Sequence, residues 1–208
     1  MKSICLLLGS SVAMFAQVAG DMAWKELADG NGRCMMGKAR HPHQDEARRK
    51  EIAQGQHPIA AVLSCSDSRV APEVVFDQGL GDLFTIRVAG NVPTDDVIAS
   101  MEYAVEHLGT RLIVVMGHQR CGAVDAALKG GEAEGHLPVL LDWIRPAVEM
   151  ARGTKGDPLD FAVRANVRNV VEKLTKCQPI LAEKIERDEV KIVGVRYELD
   201  SGKVELVK

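Results

Sequence analysis

The chain has 208 residues, the length of one ordinary domain. Its content of 46% hydrophobic and 26% charged residues is globular and excludes a fibrous or wholly disordered chain. With 26 Lys and Arg against 29 Asp and Glu the net charge is -3, and only 4% of residues are aromatic. Neither a phosphate-binding basic surface nor a base-stacking platform can be built from that, so nucleic acid is excluded as a partner.

Residues 1–20 stand apart. Lys2 is followed by a run from Ser3 to Gly20 with no charged residue, and Val18-Ala19-Gly20 places small residues before Asp21. A positive head, an apolar middle and a small-residue end are the parts of a secretory signal, too interrupted to span a membrane. The expectation is an export signal over 1–20 and a single mature domain over 21–208, periplasmic or secreted. The alternative is an N-terminal helix packed on the domain or on a second subunit, in a cytoplasmic protein. Of five cysteines, Cys5 would leave with the signal, and Cys34 and Cys177 have no motif around them.

From Met22 onward helical and extended patterns alternate. Trp24, Leu27 and Cys34 recur at near-helical spacing, and Gln44 to Gln54 reads as an amphipathic helix with a solvated charged face. Apolar runs of strand length follow at 59–63, 83–88, 112–116 and 190–195, with 204–207 as a hairpin partner turned at Asp200-Ser201-Gly202. Helical segments are expected at 95–108, 122–129, 137–151 and 160–187, the last broken by Pro179. Continuous apolar strands separated by helices predict an α/β fold. Its central sheet is mostly parallel, with four to five strands and helices on both faces.

In such sheets, functional groups gather past the carboxyl ends of strands. The first run ends in Cys65-Ser66-Asp67-Ser68-Arg69, and the third in Gly117-His118-Gln119-Arg120-Cys121-Gly122. If the two strands share a sheet, Cys65, His118 and Cys121 converge at one edge. Two thiolates and one imidazole suit tetrahedral zinc, and three protein ligands leave a fourth position open, as in catalytic sites. Asp67 can fill that position or hydrogen-bond to its occupant, and Arg69 can pair with Asp67 bidentately.

At these residues the sequence resembles the β-class carbonic anhydrases. The likeness runs from Gln56 through Gly122, including Asp77-Gln78-Gly79, Gly81-Asp82-Leu83-Phe84, Arg87-Val88-Ala89-Gly90-Asn91 and Glu102-Tyr103-Ala104-Val105. The resemblance implies one zinc ion per subunit on Cys65, His118 and Cys121, with Asp67 and Arg69 as the catalytic dyad. It further implies that Asp67 can itself bind zinc, released when Arg69 pairs with it. Gln56, Phe84, Tyr103 and the backbone of Gly122 stand where the family's substrate pocket lies. Val62 occupies the place of a Trp found in the bicarbonate-regulated group, so the chain is similar to the always-open group. A homodimer is the smallest assembly implied. The implied reaction is hydration of carbon dioxide to bicarbonate and a proton by zinc-bound hydroxide.

Three other readings remain open. A related zinc lyase or hydrolase acting on carbon disulfide or carbonyl sulfide would use the same residues. An inactive zinc-stabilised dimerisation module would need neither Asp67 nor Arg69. A redox sensor would join Cys65 to Cys121 on loss of metal. The proton carrier is not identified among His41, His43, His57, His107 and His136.

Overall fold

The computed structural model describes residues 5–131 and 133–208. Residues 1–4 and the side chains up to residue 18, where most of the expected export signal falls, lie outside that description.

The expected strands form one five-stranded sheet: β1 (Ala60–Ser64), β2 (Leu83–Arg87), β3 (Leu112–His118), β4 (Lys191–Tyr197) and β5 (Val204–Leu206). Their order is β2-β1-β3-β4-β5, with β5 alone antiparallel. Every residue of β1 and β3 is buried, which is why these strands read as unbroken apolar runs. Alternate residues supply the two faces. Val62, Val114 and Met116 belong to one core cluster, and Ala61, Leu63, Ile113 and Val115 to the other.

The helices are α1 (Cys5–Met35), α2 (Glu46–Ile52), α3 (Pro72–Val75), α4 (Asp95–Glu106), α5 (Gly122–Lys129), α6 (Leu137–Ala151), α7 (Pro158–Thr175) and α8 (Ile180–Glu186). Leu27 of α1, Val124 of α5 and Ile144 and Val148 of α6 join the first cluster. Met101 and Val105 of α4, Val170 and Leu174 of α7 and Leu181 of α8 join the second.

Two elements bear on the expected boundaries. One helix, α1, runs through the 20/21 boundary without a break. The 160–187 segment is broken at Pro179 as expected, into α7 and α8, but α7 begins two residues early because the Asp157 carboxylate caps it, accepting from the amides of Leu159 and Asp160. Among the described residues no helix is long and apolar enough to cross a membrane.

The strand order places the site. From β1 the chain moves to one side to make β2, then crosses back to lay β3 on the other side of β1. This reversal opens a crevice at the carboxyl ends of β1 and β3, where α/β sheets bind their ligands.

Candidate metal centre

Strand register delivers the two motifs to that crevice. Ser64 stands beside Met116, so Cys65 emerges beside Gly117, one residue short of His118. Arg120 takes a left-handed conformation (φ 53°), which turns the chain so that Cys121 comes back toward the crevice as the N-cap of α5. The thiol sulfurs and a ring nitrogen of Cys65, His118 and Cys121 all lie within 4.8 Å of one another, and all three residues are buried. The two sulfurs are 4.0 Å apart.

His118 is oriented for lone-pair donation. Its Nδ1 lies 3.0 Å from the Gln119 carbonyl oxygen, which can only accept, so the ring proton sits on Nδ1. Among the described residues Nε2 is left buried with no hydrogen-bond partner. A buried acceptor without a donor is costly, and a metal ion would satisfy it together with the two sulfurs. The donor set therefore fits a metal.

One of the two sulfurs is placed to carry charge. Cys65 is pulled well below the ordinary thiol range by its hydrogen bond with Cys121, against the effect of burial, with help from His118 and the amides of Asp67 and Gly90. Cys121 is pushed up by that same bond and by burial. The first-turn amides Ala123 and Val124 of α5 oppose the rise at Cys121.

Asp67 and Arg69 form the expected bidentate pair. Arg69 Nε donates to Asp67 Oδ1 at 2.8 Å and a terminal nitrogen to Oδ2 at 2.6 Å, with the Arg69 amide also on Oδ1. Arg69 thereby holds the Asp67 carboxyl far below the usual carboxylate range. Asp67 Oδ2 is 3.8 Å from His118 Nε2, at the mouth of the thiol–imidazole triangle. Both its oxygens are engaged by Arg69, so the geometry presents three ligands with Asp67 beside them.

Between residues 60 and 204 the chain matches the family model for carbonic anhydrase. It is 40% identical over 188 residues to carbonic anhydrase 2 of Mycobacterium tuberculosis, covering 88% of this chain and 91% of that one. A Pseudomonas aeruginosa carbonic anhydrase is 35% identical over 170 residues, covering 75% and 76%. A solved tetrameric β-carbonic anhydrase of Sordaria macrospora superposes with TM-score 0.71 at 27% identity, covering 76% of this chain and 85% of that one. The chain belongs to the β-carbonic anhydrases. A Coccomyxa β-carbonic anhydrase in complex with acetazolamide gives TM-score 0.70 at 27% identity, covering 76% and 75%.

In this β-carbonic anhydrase the implied pocket residues are divided. Gly122 opens α5 directly after Cys121, where first-turn N–H groups have no partner within the helix. Gln56 is exposed in the loop before β1, at the amino edge of the sheet. Phe84 pairs with Ala61 on the edge strand β2, about 13 Å along β1 from Cys65. Tyr103, on α4, lies against Phe84 with ring centroids 6.1 Å apart. A single chain does not bring these three to the metal-ligand triangle, because a strand's two ends cannot meet.

Other groups at the centre lie inside the quoted motifs, but the sequence assigns them no role. Arg87 donates to the carbonyls of Cys65 and Asp67 and pins the first ligand loop. Gln119 bonds Tyr197 through its amide and Leu199 through its side chain, and Arg120 pairs with Asp200 at 2.7 and 2.9 Å. These contacts fasten the second ligand loop to the β4–β5 hairpin.

Proposed function

We propose that this β-carbonic anhydrase hydrates carbon dioxide reversibly to bicarbonate and a proton, with one zinc ion per chain on Cys65, His118 and Cys121. The observation that carries the reading is the buried triangle of two thiols and an unpartnered imidazole nitrogen, with the Asp67–Arg69 pair at its mouth. Two sulfurs and a nitrogen are a ligand set for zinc, and three protein ligands leave one position open. Zinc in that place supplies a Lewis acid that lowers the pKa of water from 15.7 toward ~7.

The protein's own contribution follows from the dyad. Arg69 keeps Asp67 ionised, so Asp67 can only accept a hydrogen bond. It therefore selects and orients a protonated oxygen at the triangle's mouth, leaving that oxygen's lone pair free to attack carbon dioxide. The amide of Gly122 is available to the substrate oxygen on the other side. Gln56, Phe84 and Tyr103 reach the pocket from a second copy of the chain. In support, β2 is an edge strand, paired only with β1 among the described residues, and its Leu83, Phe84 and Ile86 are only half-buried, a surface suited to a homodimer. Light scattering that finds a fully active monomer would overturn that part.

The experiment for the reaction is elemental analysis together with stopped-flow carbon dioxide hydration on the purified protein. The expected result is one zinc per chain and rapid hydration. A zinc-loaded protein that does not hydrate carbon dioxide above the buffer rate would overturn the reading.

A further inference from the structure

Gly90 lies outside both ligand loops, between β2 and α4, yet its N–H donates to Cys65 Sγ at 3.3 Å. It is buried and left-handed (φ 70°, ψ 12°), and a Cβ there would come within 2.6 Å of Ile144 Cδ1. Glycine has little intrinsic preference for this conformation over its alternatives, so neighbouring groups must hold the two peptides that meet at Gly90. Asn166 of α7 does so, its Nδ2 donating to the Gly90 carbonyl at 2.8 Å from a side chain that is almost fully buried. The helix carrying Asn166 is seated tightly. Val167 occupies the space that side chains at Gly117 and Gly194 would need, with Cβ positions 2.6 and 2.7 Å from its methyl groups.

We infer that Asn166 is a positioning residue for the metal centre. Through Gly90 it keeps an N–H aimed at the Cys65 sulfur and so sets how strongly that ligand donates to the metal. The inference rests on the zinc reading above. A hydrogen bond to a thiolate draws charge from the sulfur and fixes its direction, as outer-shell partners do for metal ligands in general. Without Asn166 the peptide after Gly90 loses its anchor, the φ and ψ of Gly90 relax, the N–H of the preceding peptide drifts from the sulfur, and the ligand becomes both more electron-rich and less well placed.

The test uses the full chain loaded with cobalt(II) in place of zinc, read by its thiolate-to-cobalt charge-transfer band, and zinc affinity measured by competition with a chelator. Asn166→Ala is expected to move the band to longer wavelength and to weaken zinc binding about tenfold. Asn166→Ser, with a side chain too short to reach the carbonyl, serves if the alanine variant does not fold and is expected to behave alike. Val170→Ala removes buried packing from the same helix in the second core cluster, apart from the cluster that holds Cys65 and Cys121, and is expected to leave the band unmoved. An unmoved band with unchanged zinc affinity in the Asn166 variants would overturn the inference alone, as would an equal shift in Val170→Ala. A parent protein that shows no thiolate band on loading would overturn the zinc reading with it.

Discussion

Each of the three ligands is held by a different device: Cys65 by strand register, His118 by its Nδ1 contact, and Cys121 by the left-handed turn at Arg120. Cys65→Ser, His118→Ala and Cys121→Ser are each expected to lose metal, because two protein ligands compete poorly with water. Elemental analysis checks this, and near-stoichiometric zinc in all three variants would defeat the assignment. Asp67→Asn is a different case. The amide keeps the shape but not the charge that binds Arg69 and accepts from the reacting oxygen. It is expected to retain zinc and lose activity by about 10²-fold or more, as measured by hydration rate at pH 8. Activity equal to the parent's would remove Asp67 from the chemistry.

Among the elements, α1 shows how tertiary contact reverses a local preference. A Cβ at Gly30 would lie 1.8 Å from the Phe76 carbonyl oxygen, whereas at Gly32 it would meet nothing within 4 Å. Helix propensity favours alanine over glycine by about 1 kcal/mol at both positions. Gly32→Ala is therefore expected to stabilise by up to that amount, and Gly30→Ala to destabilise by about 1–3 kcal/mol as α1 is forced off α3. Denaturant titration of the pair checks the sign, and two changes of the same sign would refute it. The same helix is tied down by Arg33, whose Nε donates to Asp77 Oδ2 at 2.6 Å, while the amides of Arg40 and His41 donate to that carboxylate too. Burial pushes the Asp77 carboxyl up, but Arg33 and the two amides outweigh it and hold it below its ordinary value. A carboxyl depressed in the folded state adds stability that is complete above the ordinary aspartate pKa of ~3.9 and is lost as pH falls through the folded value. Asp77→Asn is expected to cost about 3 kcal/mol at pH 7, and the difference from the parent should shrink below pH 4. Stability measured from pH 7 to pH 3 tests it; a pH-independent gap would show that the charge is not the cause.

At the scale of the whole molecule, we propose that the working protein begins near Asp21 and acts outside the cytoplasm. The contacts that bind α1 to the domain include the Asp21–Lys191 ion pair, the buried Leu27, and Asn31, which donates to the carbonyls of Val75 and Gly202 at 3.1 and 2.8 Å. All of them lie beyond the expected cleavage point and would survive it. Among the described residues Cys34 and Cys177 are half-buried and unbridged, so no disulfide between them has to form on export. Intact-mass analysis of cell fractions is expected to find the short form outside the cytoplasm. A chain that keeps Met1 and travels only with cytoplasmic markers would make residues 1–20 part of the working fold.

The sequence by itself determined the strands and the chemistry-bearing residues. Runs such as Leu112–Met116 are apolar at every position because both faces of the strand are covered, and that signal is local. Cys65, His118 and Cys121 were legible for the same reason, since each sits a few residues past such a run. The one-turn helix α3 left no trace, because four residues are too few to show a helical period. The tertiary structure alone decided that β1 lies beside β3, which is what turns two short motifs into one metal-ligand triangle. It also decided that Gln56, Phe84 and Tyr103 lie toward the other end of the sheet, and that Asn166, 101 residues after Cys65 in the chain, steadies the Cys65 sulfur through Gly90. Strand neighbours and buried relays join residues far apart in the chain. No local pattern encodes them, because they follow from how whole elements pack.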